Sequence, residues 1–584
     1  MSCNDVNGEN GAVLALSAAL EQAVKELAAE LNKDLPDNIS YELESPKFNN
    51  QGDKASSAAM RLAKVFGKAP RDIAASIANK LSLNDGLKGL VDKVEVAGPG
   101  FINFFLGSGW FALAASDVLA QGDSYGAVNL GNNKRVQVEF VSSNPTGPLH
   151  IGHGRGAAVG DSVARILAFT GWDVQREYYI NDAGLQIETL GKSTQARYFE
   201  LFNKAELAPF PENGYKGDYL YDIANKIKAE HGDEFIKLKP EDSLEFFKNY
   251  ASGLILNGIK DDLEKFGVKF DNWFSEKSLY VKDKSGKTAV DVSMQNLKDN
   301  NYAFEQDGAL WFRSTDFGDD KDRVLIRNNG VPTYFASDIA YHHDKFIDRK
   351  FERVIDVWGA DHHGYIARLK AGIKAMGKDP DKFDVLLIQL VNLLSGGKQV
   401  AMSTRSGEFI ELSEVCNEVG VDATRFFFLT RRSDSQLDFD LDLAKSQSSD
   451  NPVYYVQYAH ARIASILREF EARGGALSDN KINLNIFNDN KEARELANIL
   501  AEFPKEAASA SRDLAPQIIT DYALNLAGAF HSFYNTNRIL LSLEDEDKDQ
   551  DKELELGRVK FICAVRMVIA RCLNLLGVSA PERM

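Results

Sequence analysis

The chain has 584 residues, 44% hydrophobic and 26% charged, ordinary values for a globular protein. That length exceeds one hydrophobic core, so about three to five domains are expected. A formal net charge of −17 argues against a general nucleic-acid binder, because Lys and Arg neutralise phosphates. It leaves room for an RNA held on local basic patches.

No apolar run reaches the roughly 18 residues of a membrane span, so no membrane partner is expected. The N-terminus, MSCNDVNGEN, lacks the basic start and apolar core of a secretory signal. Cys3, Cys416, Cys563 and Cys572 form no C-x-x-C pair, so neither a disulfide framework nor a cysteine zinc site is expected. A reducing, cytoplasmic location fits.

In chain order, residues 11–34 read as an amphipathic helix with Leu16, Leu20, Val24, Leu27 and Leu31 on one stripe. The next segment gives two more helices split at Pro70, then strands around a Gly-Pro-Gly turn. This small α+β unit is expected to span 1–119. Residues 130–170 read as the first half of a nucleotide-binding fold, and 171–320 as an insertion of polar helices and irregular segments. VLIR, ERVIDVWG and DVLLIQLVNLL return to short apolar strands, the sign of a parallel α/β sheet, with a second half over 321–395. Residues 396–450 are expected to be a loop and stem-contact region, and helical patterns over 451–584 predict a bundle. The acidic run 544–555 reads as a solvated loop or helix start.

Residues 144–153, NPTGPLHIGH, carry the sharpest functional signal. They follow the β-branched stretch VQVEFV and precede a segment with helical spacing, so a strand runs through a Pro/Gly turn into a helix. Helix N-termini attract anions through free N–H groups and the dipole. Glycines at 152, 154 and 156 permit close backbone approach. Two imidazoles there suit a triphosphate under attack at its α-phosphorus.

Six of the nine histidines form three groups: His150 with His153, His342 with His343, His362 with His363. A metal site with Asp338 or Asp361 is one reading; histidine–phosphate contacts explain the first pair without a metal, and no protein-bound zinc is expected. Adjacent histidines point different ways on a helix, so at least one of 342 and 343 is expected to be structural. Tyr334 and Asp338 are four residues apart and share a helix face.

SSNPTGPLHIGHGRGAAVGD resembles the first signature of class I aminoacyl-tRNA synthetases in its arginyl form. AMSTR (401–405) followed by SGEFI resembles the arginyl variant of the second signature. VPTYFASDIAYHHDK, DVWGADHHGYIARLKAGIKAMG and NPVYYVQYAHARI are also similar to arginyl enzymes, and the resemblance covers nearly the whole chain in order. It implies a Rossmann-like parallel-sheet catalytic domain, an N-terminal domain touching the tRNA outer corner, and a C-terminal helical anticodon-binding domain. It implies ATP-dependent activation of L-arginine, with Mg-ATP as substrate complex, and transfer to tRNA(Arg) by a chain that is a monomer.

Carried over residue by residue, His150 and His153 become catalytic. Pro145, Gly147, Gly152, Gly359, Asp361, His362, Met402 and Ser403 line the ATP site. Glu139, Asn144, Tyr334 and Asp338 form the amino-acid pocket, where a carboxylate such as Asp338 accepts two parallel guanidinium hydrogen bonds. The second signature departs from the class pattern, with Ala401 and Thr404 at the lysine positions. Arg405 is the first substitute cation and Lys398 the alternative. In the C-terminal region Tyr455, Arg462 and Arg538 are the strongest candidates to stack on splayed anticodon bases or hold their phosphates.

Three rivals differ in kind. A small-molecule nucleotidylyltransferase shares an H-x-G-H turn but needs neither the second loop nor the helical C-terminal region. A non-catalytic RNA-binding relative would be favoured by loss of His150 or His153, and both are present. A synthetase for cysteine would want a thiolate–zinc site.

Overall fold

The structure is a computed structural model and describes residues 8–36, 39, 41, 43, 44, 46, 51–400, 410–477, 479–541 and 549–584. Helix α1 (Gly11–Glu30) buries Leu16, Leu20, Val24 and Leu27 on one stripe, and the Asn10 side chain accepts from the amides of Ala12 and Val13 at its start. Strand β1 (Lys54–Ser56), helix α2 (Ala58–Phe66) and helix α3 (Pro70–Ser82) follow. Pro70 sits in the first turn of α3, where its missing N–H removes no helical bond. Strands β2 (Val91–Ala97) and β3 (Phe101–Leu106) form the hairpin expected at the Gly-Pro-Gly turn, and the sheet order is β1-β3-β2. Helix α4 (Ser108–Gln121) packs behind it on α1.

Next come β4 (Arg135–Glu139), α5 (Ile151–Phe169), β5 (Asp173–Ile180), α6 (Leu185–Glu200), α7 (Tyr219–His231), α8 (Pro240–Lys265) and β6 (Asn272–Ser275). Then α9 (Ala289–Asp299), β7 (Ala303–Gln306), β8 (Ala309–Phe312), β9 (Arg323–Ile326), α10 (Tyr334–His343), β10 (Arg353–Gly359), α11 (Ile366–Ala375) and β11 (Phe383–Ile388). Five strands form one all-parallel sheet in the order β11-β10-β4-β5-β6. From β4 the chain winds one way to β5, and from β10 the other way to β11. The crevice between the carboxyl ends of β4 and β10 is therefore the switch point, where open α/β sheets bind ligands.

Two sequence expectations need correction here. The segment 171–320 is not purely an insertion, because β5 and β6 belong to the main sheet. Their alternating, partly polar faces hid them. VLIR is not in the parallel sheet either: β9 pairs antiparallel with β8 in a separate sheet of order β7-β8-β9. A short apolar run does not reveal which sheet it joins.

The apolar run 384–394 splits into β11 and β12 (Val391–Ser395), and β12 pairs with β13 (Lys398–Gln399) and with β14 (Leu437–Asp440). Helices α12 (Leu412–Val419), α13 (Val421–Phe428) and α14 (Leu441–Lys445) surround this sheet. A bundle of α15 (Pro452–Ala472), α16 (Lys491–Arg512), α17 (Gln517–Thr536) and α18 (Asp549–Leu575) closes the chain. The acidic run 544–555 overlaps the start of α18, and residues 542–548 lie outside the described ones.

Helix α5 sits at the centre of this arrangement. A Cβ on Gly160 would stand 2.3 Å from Phe140 Cγ, so the glycine lets α5 close on the end of β4. On its far side Asp161 Oδ2 accepts from Arg425 at 2.6 Å and from Arg165 Nε at 2.7 Å. The Arg425 guanidinium, fully buried, also donates to the carbonyls of Phe266 and Leu576, both at 3.1 Å. Burial pushes its pKa down, and the charge of Asp161 opposes that.

Candidate active site

After β4 the backbone turns through Val141 and Ser142, whose φ angles are 66° and 40°. A left-handed φ is an outlier for a β-branched valine and costs about 1–3 kcal/mol. Ser142 holds the turn: its hydroxyl donates to Glu139 Oε1 at 3.0 Å and accepts from the Tyr179 amide at 3.1 Å.

The turn delivers His150 as the N-cap of α5. His150 Nδ1 accepts from the amides of Gly152 at 3.1 Å and His153 at 3.4 Å, and the His150 amide donates to His153 Nδ1 at 3.3 Å. The two rings stack with centroids 3.5 Å apart. Burial lowers the pKa of His150 and, with the neighbouring His150, pushes His153 down to about 3. Both rings are therefore neutral near pH 7. A neutral ring that accepts at Nδ1 carries its proton on Nε2. The helix start thus presents two Nε2–H donors of fixed tautomer at the positive end of the helix dipole, its first backbone amides being taken up by the imidazoles and by Ile410.

Met402, Ser403 and Arg405, like Ala401 and Thr404, lie outside the described residues. Both flanks of that segment are anchored at the histidine turn. On its exit side the Ile151 amide donates to the Ile410 carbonyl at 3.2 Å, and the Leu412 amide to the Leu149 carbonyl at 2.8 Å. On its entry side the buried Arg155 guanidinium donates to the carbonyls of Gln389, Ser435 and Arg432 at 2.8–2.9 Å, fixing the base of β12 against α5. A Cβ on Gly154 would lie 2.4 Å from Leu412 Cδ1, so a larger residue would force α12 away.

A cavity of about 280 Å³ opens at the carboxyl ends of β4 and β10, lined by Glu139, Asp338, Tyr179, Trp358, His362 and Tyr365 among others. Asp338 Oδ2 accepts from the Tyr365 hydroxyl at 2.5 Å. Burial raises the Asp338 pKa, and that hydrogen bond opposes the rise. Burial, then the charges of Asp338 and Asp182, raise buried Glu276 to about 7. Of these carboxylates Asp338 lines the cavity, with Glu139 and Asp356, under aromatic walls, an arrangement that can accept a cation, while Glu276 lies outside the lining.

The remaining candidates divide. Glu139 reaches the cavity wall, but Lys345 holds its Oε2 at 2.6 Å and Ser142 its Oε1. Asn144 donates to Gln186 Oε1 at 2.6 Å beside the turn, and Pro145 is buried. Gly147 lies against Tyr219, whose hydroxyl donates to the Thr146 carbonyl at 2.5 Å. Tyr334 is 68% exposed and lines no part of the cavity. It is the first residue after the Thr333 cap, where the helix has not yet turned inward. Gly359 ends β10 and His362 lines the cavity. Asp361 does not cap α11: its side chain is 81% exposed and 3.5 Å from His362 Nε2.

Of the central histidine pair, His342 is buried, donating from Nδ1 to the Asp338 carbonyl at 2.8 Å, with Nε2 3.3 Å from Asp356. His343 faces Asp348. Among the described residues no group of three or more His, Cys, Asp or Glu could hold a metal ion.

On the helical bundle, Arg462 lies over the Tyr534 ring at 4.7 Å, and Tyr458 stacks on Tyr454 and faces His531. Tyr455 is half-buried against His531. Arg538 is exposed beyond α17 and lines a shallow groove with Tyr534. Phe530 and Phe533 belong to the core.

Three family profiles match the chain end to end. Residues 114–437 match the catalytic domain of class I (R) tRNA synthetases, 456–584 the DALR anticodon binding domain, and 14–106 the arginyl tRNA synthetase N-terminal domain. The chain is 50% identical to the arginine–tRNA ligase of Geobacter sp. (strain M21), over 93% of this chain and 94% of that one.

The chain belongs to the class I arginyl-tRNA synthetases.

It is likewise 51% identical to the arginine–tRNA ligase of Desulfosudis oleivorans, over 93% of this chain and 95% of that one. It shares the fold of the Thermus thermophilus arginyl-tRNA synthetase, with a TM-score of 0.73 at 23% identity, covering 98% of this chain and all of that one. As an arginine–tRNA ligase it activates arginine with ATP and transfers it to tRNA, releasing AMP and pyrophosphate.

Sequence reasoning for this arginyl-tRNA synthetase missed Tyr179, Glu276, Lys345 and Asp356. Tyr179 lies near the end of β5 and Asp356 midway along β10, and a polar residue in an apolar run is a usable signal. Glu276 and Lys345 carry none, because only the fold brings them to the crevice.

Proposed function

We propose that the cavity between β4 and β10 is the arginine site and that the α5 N-terminus is the triphosphate site. The observation that carries this reading is an acid-lined, aromatic-walled cavity opening beside two neutral histidines of fixed tautomer. Asp338 takes the guanidinium, with Tyr365 orienting its carboxylate. Glu139 adds negative potential and contacts substrate by exchanging its bond to Ser142, Asn144 binds at the turn, and Tyr334 closes over the mouth when substrate is present.

The arginine carboxylate attacks the α-phosphorus of Mg-ATP in line. His150 and His153 donate from Nε2 as charge builds on the α- and β-phosphates, a contribution of positioning and electrostatics. Pro145, Gly147 and Gly152 shape the approach; Gly359, Asp361 and His362 cradle the adenosine; Met402 and Ser403 complete the site from the second signature. Tyr455, Arg462 and Arg538 bind tRNA(Arg) on the helical bundle, through stacking and phosphate contacts. The enzyme works as a cytoplasmic monomer. ATP–pyrophosphate exchange across a panel of amino acids, with and without tRNA, tests the reading: arginine alone should support exchange.

Arg405 supplies the cation for pyrophosphate in place of the absent lysine. Arg405→Ala is expected to slow adenylate formation at least about tenfold, or about 1.4 kcal/mol. Lys398→Ala, on exposed β13, is expected to cost less. Single-turnover activation at saturating tRNA separates them, and a wild-type rate for Arg405→Ala with a collapse for Lys398→Ala reverses the assignment.

A further inference from the structure

Directly beneath the cavity lies an ammonium group that no step above uses. Lys345 follows α10 in a π-helical turn, Asp344–Asp348, and its side chain is 0% exposed. Single π turns widen a helix locally and recur at functional sites. Lys345 Nζ donates to Glu139 Oε2 at 2.6 Å and to Asp356 Oδ1 at 2.9 Å, and lies 4.1 Å from the Tyr341 ring centre. Glu139, at the end of β4, is the cross-strand partner of Asp356, midway along β10. Burial alone would push the Lys345 pKa down; Asp356 and Glu139 outweigh it and hold the amine above its ordinary value.

The other oxygens of this pair differ, the first being hydrogen-bonded and the second only approached. Ser142 bonds Glu139 Oε1, and His342 Nε2 lies 3.3 Å from Asp356 Oδ2. Glu177 of β5 adds further negative charge nearby, and is itself bonded by Arg349 and the Tyr341 hydroxyl. Three of the four floor oxygens are thus hydrogen-bonded within the chain, and both carboxylates share the Lys345 ammonium. Asp338 differs: among the described residues it has no ion-pair partner, and its Oδ2 accepts from the Tyr365 hydroxyl alone.

We infer that Lys345 determines substrate specificity: a resident ammonium fills the point-charge site between Glu139 and Asp356 and keeps alkylammonium side chains out of the pocket. An ammonium is a compact, strongly hydrated charge that seeks such a site, whereas a guanidinium is planar and weakly hydrated and stacks on aromatic faces. A lysine or ornithine side chain entering the cavity meets like charge at the floor and finds no free carboxylate pair. A guanidinium fits between Asp338 and the walls made by Tyr179, Trp358 and Tyr365. Specificity here comes from a repulsive element built against the wrong substrate.

The inference rests on the cavity being the arginine site. The test is ATP–pyrophosphate exchange by the full-length Lys345→Met enzyme with arginine, lysine and ornithine, in saturating tRNA. The ratio of kcat/KM for arginine to that for lysine is expected to fall at least about tenfold, with lysine activation gained. Methylammonium chloride, a free ammonium able to refill the vacated site, is expected to restore the ratio in the Lys345→Ala enzyme. A smaller fall in the ratio, or equal losses with both amino acids, overturns the inference. Stranded carboxylates can unfold the chain, so Lys345→Met with Asp356→Asn provides a second variant with one charge of each sign removed and the same expected fall. Asp338→Asn assayed alongside separates the two readings: if it leaves arginine activation intact the cavity assignment fails, and if it does not, the Lys345 result stands on its own.

Discussion

Replacing His153 by alanine lowers the rate of arginyl-adenylate formation by about 10²–10³-fold, with little change in the KM for arginine. The reason lies in the tautomer. His153 Nδ1 is committed to the His150 amide, so the ring can face the phosphates only with its Nε2 proton, and that donor gains most when charge peaks in the transition state. Alanine also removes the acceptor for a helix-start amide, a cost of about 1 kcal/mol in stability. A thermal melt separates that from the rate effect. A loss confined to substrate affinity, with kcat intact, would place His153 in ground-state binding. The low pKa gives a second check. His153 is neutral in the fold down to about pH 3, whereas an unfolded histidine charges near its ordinary value. Its contribution to stability is therefore present above that ordinary value and is lost as pH falls below it. No acid limb of activity near pH 6 should come from this ring.

Asp338→Asn is expected to cost about 3–5 kcal/mol in kcat/KM for arginine, the usual penalty for removing one partner of a desolvated ion pair. The asparagine keeps an oxygen that can accept from Tyr365, so the shape of the wall survives while the charge goes. The KM for ATP should hold. Burial raises the Asp338 pKa, so arginine affinity should decline on the acid side above the ordinary carboxylate range. The Asn variant should lose that limb. Unchanged steady-state constants for arginine would remove Asp338 from the pocket.

Much of the site was legible because its chemistry is local. The strand 136–139, the turn and the helix from 151 follow directly from β-branched residues, Pro and Gly, and small residues at helical spacing. Asp338 is visible as the partner of a family motif. Lys345 was not, since a lysine after a helical run reads as a surface group, and only the π turn sends it inward. Tyr334 is a different case. Its spacing from Asp338 is right, but the first turn of a helix need not share the burial of the second. The sheet positions of β5, β6 and β9 depend on pairings across long stretches of chain, and periodicity within a window carries no such information.

The guanidinium of Arg425 joins the carboxylate of Asp161, the carbonyl of Phe266 and the carbonyl of Leu576, three points more than a hundred residues apart along the chain. Gly577, at φ 66°, leaves room for it: a Cβ there would lie 2.1 Å from a guanidinium nitrogen. This junction makes the enzyme less modular than its succession of domains suggests. A fragment ending before Leu576 would strand a buried cation and loosen the helix that carries His150 and His153. Helical domains exchanged between relatives must bring the Leu576–Gly577 corner with them, or the graft will fail at the catalytic helix rather than at the seam.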